Sequence, residues 1–172
     1  MNEYYKQLDS INKEKDLYFP SQVHGIDHTS RVMLFANVIV NLDRLDDRMK
    51  NLILTAARYH DIGRIDDRET KEHGLYGMTK LHDLNLLKGF SKKDQRIIEF
   101  AIEQHSLSKE ENEEALSKIP KRNRKDYAMV LSYLKDIDAL DRFRIANKNI
   151  LQQFCAKLLL INITIDIFWV LT

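Results

Sequence analysis

Apolar side chains recur at intervals of three and four residues along most of this chain. That spacing puts them on one face of an α-helix, so the pattern predicts an all-α protein without a sheet. A first helix is predicted over 3–17, and Pro20 to Gly25 interrupts the pattern. The next runs over 28–42, with Asp27 or a neighbouring residue as its candidate cap. A third runs over 46–62 and stops at Gly63 in a left-handed turn. Residues 64–73 read as a polar loop, and a helix over 74–88 ends at Gly89. Ser91 caps a helix over 92–105. The polar stretch 106–124 carries a short helix at 109–117, a long helix covers 125–148, and another covers 149–161. With only five glycines and two prolines, few turns are punctuated, which favours long helices.

Bulk properties narrow the class. The 172 residues fit a single domain over 1–172, and 44% hydrophobic with 31% charged residues is too apolar for a disordered chain. Lys and Arg number 27 against 26 Asp and Glu, so no global field points to a nucleic-acid partner or an anionic membrane. Lys121, Arg122, Arg124 and Lys125 form a local basic cluster, which reads as a solvated loop or helix start. The single cysteine, Cys155, excludes an intrachain disulfide and a Cys-based zinc site, and fits a reducing, cytoplasmic setting. The N-terminus is polar and lacks the apolar stretch of a signal peptide. Residues 149–172 end in the apolar run LLLINITIDIFWVLT, which is short for a membrane span of about 20 residues and contains Asp166. It reads as a buried last helix or strand, the alternatives being a homodimer surface or a peripheral membrane contact.

Candidate chemistry comes from ionisable residues on apolar faces. His28 shares its face with Val32, Phe35 and Ile39, and His60 shares one with Ile53, Ala56 and Ala57. Asp61 lies one step round, beside Leu54 and Ala57. His105 follows Ile98, Ala101 and Ile102, and Asp138 follows Leu131 and Leu134. Four predicted helices therefore each turn an ionisable group toward the core. A buried carboxylate without a partner is costly or neutralises itself. A divalent cation would compensate, and imidazole nitrogens with carboxylate oxygens suit zinc, iron, manganese and similar metals, not an all-oxygen calcium site. Taken singly, each residue has an ordinary reading: a hydrogen-bonded core histidine, or a capping aspartate. Asp141, beside Arg142, is simply paired in that reading, and the His82-Asp83 pair reads as surface.

The segments HGIDHTSRV (24–32), RYHDIGR (58–64), EQHSLS (103–108) and LKDIDALDR (134–142) resemble the HD superfamily of metal-dependent phosphohydrolases, over roughly residues 20–145. The resemblance implies a compact helical bundle with a metal site in its core. It implies His28, His60, Asp61 and Asp138 as ligands, with Asp136 and Asp141 as neighbouring acids in competing register. Relatives with two metals add two histidines between the His-Asp pair and the last Asp, and here His73 and His105 occupy those places. Asp61 would then bridge metals about 3.5–4 Å apart. One or two ions from among Mn, Fe, Ni, Co, Zn and Mg are implied. The implied activity is attack of a metal-activated water on a phosphomonoester or phosphodiester, of a nucleotide or other small phosphorylated metabolite. Asp61 and Arg64 would carry catalysis, and His24, Arg31, Arg64 and Arg142 are candidates for holding substrate, with Lys80 within reach of the mouth. The rivals are an HD-fold di-iron oxygenase and a non-catalytic nucleotide-binding module. The Gly-Tyr-Pro signature of the cyclic-di-GMP enzymes is absent, which argues against that substrate.

Overall fold

A computed structural model describes residues 2–68 and 70–142. The chain divides into two compact units, residues 1–140 and 141–172, and of the second only Asp141 and Arg142 are described. The helices predicted at 149–161 and for the end of 125–148, and the apolar segment 149–172, therefore lie outside the described residues. Seven α-helices and no strand occur among the described residues, so the fold is all-α as the periodicity requires. The helices are α1 (Asn2–Lys13), α2 (Ile26–Leu42), α3 (Asp47–Tyr59), α4 (His73–Asp83), α5 (Lys92–Gln104), α6 (Lys109–Ser117) and α7 (Lys121–Arg142). None is long and apolar enough to cross a membrane.

Local chemistry sets most of the helix starts. Asp46 accepts a bond from the Met49 amide at 2.8 Å and opens α3. Ser91 accepts one from the Asp94 amide and opens α5. Ser108 and Glu111 close a reciprocal capping box on α6. α7 starts four residues earlier than predicted, directly after Pro120, whose carbonyl accepts from the Asn123 and Arg124 amides. α2 also starts early. Its cap is Gly25, and Asp27 lies inside the first turn, where an acid favours the helix dipole without capping it. α1 stops at Lys13, followed by a single 3-10 turn over Lys15–Leu17. Tyr18 then donates to the Arg58 carbonyl at 3.1 Å and ties this turn to the end of α3.

The core forms around α3 and α5. α3 turns Leu52, Ile53, Ala56 and Ala57 inward, and α5 turns Ile97, Ile98, Ala101 and Ile102 inward, all fully buried. α3 packs against α2 and α5, and α4 packs against α5. Val32, Met33 and Ala36 of α2 and Val130, Leu134 and Ile137 of α7 complete the apolar interior. α4 ends at Asp83, five residues short of the prediction, and the chain turns through Asn85 and Gly89, both at positive φ.

The predicted left-handed turn at Gly63 does not form: Gly89 is the glycine at positive φ among the described residues. Gly63 is needed for close approach instead. A Cβ there would sit 2.1 Å from the Gly77 nitrogen and 2.1 Å from the His73 oxygen. At Gly74 a Cβ would come within 2.6 Å of the Ile102 and Glu103 oxygens. Bare backbone at these positions lets the first turn of α4 lie directly on the chain ends leaving α3 and α5. Gly63→Ala and Gly74→Ala should each cost about 1–3 kcal/mol or more, because the obstructing atoms are backbone. Gly77→Ala meets the Ile102 Cγ2 at 3.2 Å and backbone atoms only at an ordinary 3.6 Å, and a helix-propensity gain of about 0.5–1 kcal/mol should bring it close to neutral. Urea unfolding of the three variants distinguishes these outcomes.

Candidate metal centre

Three histidines reach the core through one local device. His60 directly follows α3 and His105 directly follows α5, each with helical backbone angles, and His73 is the first residue of α4. In each the ring Nδ1 lies on the carbonyl three residues earlier: Ala57 at 2.8 Å, Ile102 at 2.6 Å and Thr70 at 2.6 Å. A carbonyl can only accept, so Nδ1 carries the proton and, in the neutral ring, Nε2 keeps a lone pair. Each helix end thereby aims one imidazole nitrogen inward.

These nitrogens meet two carboxylates in two groups. In the first, His28 Nε2 lies 3.1 Å from His60 Nε2 and 3.3 Å from Asp138 Oδ1, with Asp61 Oδ2 at 3.6 and 3.7 Å from the two rings. In the second, His73 and His105 face each other through Nε2 at 3.1 Å, with Asp61 Oδ1 at 3.4 and 3.5 Å. All six residues are at most 5% exposed. Asp61 stands between the groups and turns one oxygen to each.

The donor set fits divalent cations. The lone pairs of His73 and His105 oppose one another at hydrogen-bond distance with no proton between them, which is repulsive unless a cation intervenes. Asp61 Oδ1 is buried and accepts no hydrogen bond. Bonds of about 2.1 Å to a common ion would hold neighbouring donors about 3.0–3.4 Å apart, close to the spacings in both groups. Burial raises the Asp61 pKa, but His60, His105 and Arg64 outweigh it and hold the carboxyl well below the usual carboxylate range. Burial, reinforced by the adjacent His105, pushes the His73 pKa down to about 4, so that ring is neutral and its lone pair available near neutral pH.

The other expected residues distribute unevenly. Arg64 is no surface arginine: its Nε lies 3.0 Å from Asp61 Oδ2 and its Nη1 donates to the Arg68 carbonyl at 3.2 Å. Arg64 and His73 also line an open cleft of about 160 Å³. His24 stands at the edge of the first group, its ring 5.9 Å from that of His28 and its Nδ1 3.1 Å from Asp67 Oδ1. Burial and then Arg64 lower the His24 pKa. Arg31 lies on α2 one turn after His28 and is partly exposed, and Arg142 belongs to the second unit. Asp136 is exposed, so Asp138 is the acid of that pair that meets the histidines. Lys80 does not serve the mouth; its Nζ donates to the carbonyls of Leu17 and Ile62. A second lysine has a role that the sequence pattern does not mark. Lys135 donates to the carbonyls of His105 and Leu107 at 3.0 and 2.7 Å and satisfies the end of α5. Its partners are backbone atoms of a distant helix, which no periodicity marks.

The HD domain family model matches residues 25–145, and the chain belongs to that family, within the superfamily of metal-dependent phosphohydrolases. No curated protein and no solved structure gives a significant match. Lys135→Met leaves two carbonyls beside the centre without their charged donor and should lower stability by about 1–3 kcal/mol in denaturant titrations.

Proposed function

We propose that this protein is a metal-dependent phosphohydrolase acting on a phosphomonoester or phosphodiester of a nucleotide or other small phosphorylated metabolite. The observation that carries the reading is the division of one carboxylate between two donor groups: Asp61 Oδ2 toward His28 and His60, which Asp138 joins, and Asp61 Oδ1 toward His73 and His105. In this reading His28, His60, Asp61 and Asp138 hold one divalent ion, and Asp61, His73 and His105 hold a second. When bound, such ions lower the pKa of water and offset charge on phosphate oxygens. Arg64, fixed by Asp61, keeps donors for a phosphate oxygen, which suits its planar fork. His24, beside His28, is a second contact for the phosphoryl group, with Arg31 as an outer candidate. The water oxygen bonds to phosphorus as the ester P–O bond breaks, the leaving alkoxide takes up a proton, and nothing is oxidised. The single cysteine fits a cytoplasmic, reducing setting for this chemistry.

Metal analysis tests the ligand assignment. Wild type loaded with manganese, nickel, iron or magnesium should hold about two ions per chain, His73→Ala about one, and Asp61→Asn fewer than one. At a hundredfold excess over Kd, bound metal adds about 2.7 kcal/mol, so chelation should lower Tm by about 5–10 °C. In a phosphatase and phosphodiesterase screen Asp61→Asn should lose about a thousandfold in rate, and Arg64→Ala should raise KM about ten- to a hundredfold. A folded wild type that binds no metal and releases no phosphate rejects the reading and leaves a binding module. Iron with oxygen consumption and no phosphate release reassigns the centre to an oxygenase.

A further inference from the structure

The cleft beside the centre is poorly suited to most of the substrates that the proposed chemistry admits. Its volume of about 160 Å³ is well under the roughly 300 Å³ at which pockets begin to enclose drug-sized ligands. It therefore takes part of a substrate and leaves the rest on its rim. One wall is His73, a ligand of the second group, so whatever sits in the cleft abuts that end of the centre.

The rim is apolar. Ile65 is 73% exposed and Tyr76 is 49% exposed, and both line the cleft. An exposed ring and an exposed branched aliphatic side chain flanking a polar cleft offer a face on which a flat group can stack. The charges of the cleft are also largely committed. Arg64 lies against Asp61 at 3.0 Å, and Arg68 forks onto Asp66 at 2.5 and 2.7 Å. Glu72 adds a further exposed carboxylate to the lining. One phosphoryl group at the centre can be matched by metal and by the remaining donors of Arg64. A second phosphate extending into the cleft would meet the Glu72 carboxylate and a cation already neutralised by its own partner.

We propose that the cleft formed by Arg64, Ile65, Glu72, His73 and Tyr76 selects phosphomonoesters that carry a single phosphate and a flat aromatic leaving group, with Tyr76 as the stacking surface and Glu72 as the element that rejects further phosphates. This rests on the phosphohydrolase reading above. The ester P–O bond breaks, water supplies the new P–O bond, and the alcohol that carries the aromatic ring departs after taking up a proton. The aromatic ring is carried either by a nucleoside or by a simple benzylic alcohol, and the choice of probes separates the two.

The experiment compares KM on the manganese-loaded full chain for adenosine monophosphate, adenosine diphosphate, benzyl phosphate and glycerol phosphate. The aromatic monoesters should be favoured over glycerol phosphate by about tenfold or more, and Tyr76→Ala should remove most of that ratio. Glu72→Gln should narrow the preference for monophosphate over diphosphate by about threefold. Acceptance of benzyl phosphate but not adenosine monophosphate upholds the aromatic preference and assigns it to a non-nucleoside source. Equal KM for glycerol phosphate and the aromatic esters, or an unchanged ratio in Tyr76→Ala, overturns the proposal. So does a dimer that dissociates in Tyr76→Ala without any change in the ratio, which would assign Ile65 and Tyr76 to an interface between copies. Should no ester be cleaved, the hydrolase reading fails, and calorimetry with adenosine monophosphate and diphosphate still decides the cleft. Tighter binding of the monophosphate, weakened about tenfold in Tyr76→Ala, upholds it, and equal binding of the two overturns it.

Discussion

A carboxylate buried among four imidazoles is the interaction around which the rest of this protein is organised. Asp61 lies inside the core, with Oδ2 facing His28 and His60 and Oδ1 facing His73 and His105. In an apolar interior such a group is stable only if its charge is matched at short range. The metal-free chain supplies part of that match through Arg64, 3.0 Å from Oδ2. Oδ1 has no hydrogen-bond donor, and its nearest neighbours are ring nitrogens whose protons are committed to carbonyls on the far side. A site with that deficit is arranged for cations, and the membership of the chain in the HD domain family is consistent with the same chemistry.

Convergence of these groups depends on backbone proximity more than on side-chain packing. α3 and α5 each end on a histidine, and α4 begins on one, so three chain ends have to arrive within a few ångströms of one another. Gly63 and Gly74 permit it by removing the Cβ atoms that would keep those ends apart. Lys80 and Lys135 then satisfy the carbonyls that such crowded helix ends expose: Ile62 after α3, and His105 and Leu107 after α5. Side chains that look available for catalysis in the sequence are thus occupied in holding the frame, and this separates Lys80 from Arg64 although both lie near the centre.

The surroundings of the centre divide its two ends. Toward His28, Thr29 and Val32 are fully buried on the same helix and His24 stands partly exposed at the edge beside Asp67. Toward His73 the structure opens into the cleft, where polar side chains, paired charges and exposed apolar residues meet. This difference gives the two donor groups different environments despite their similar composition.

Much of this was legible in the residues alone. The three- and four-residue spacing of apolar positions sets an all-α fold, because helical periodicity is a property of each segment and needs no partner. Ser91 and the short helix at 109–117 could be read for the same reason, since capping is local. The histidines and aspartates on apolar faces could be listed as well, because a face is a local property. Their assembly into two groups sharing Asp61 could not be derived from any one helix, and the choice of Asp138 over Asp136 is decided by which side of α7 meets α2 and α3. Helix ends were the weak point. The starts of α2 and α7, the early stops of α1 and α4, and the true reason for Gly63 all depend on what the chain end touches across the fold. Periodicity determines what kind of element forms and which face is apolar; the distances between faces, and therefore the chemistry at the centre, belong to the tertiary structure, because only packing brings residues 28, 61, 73, 105 and 138 within reach of one another.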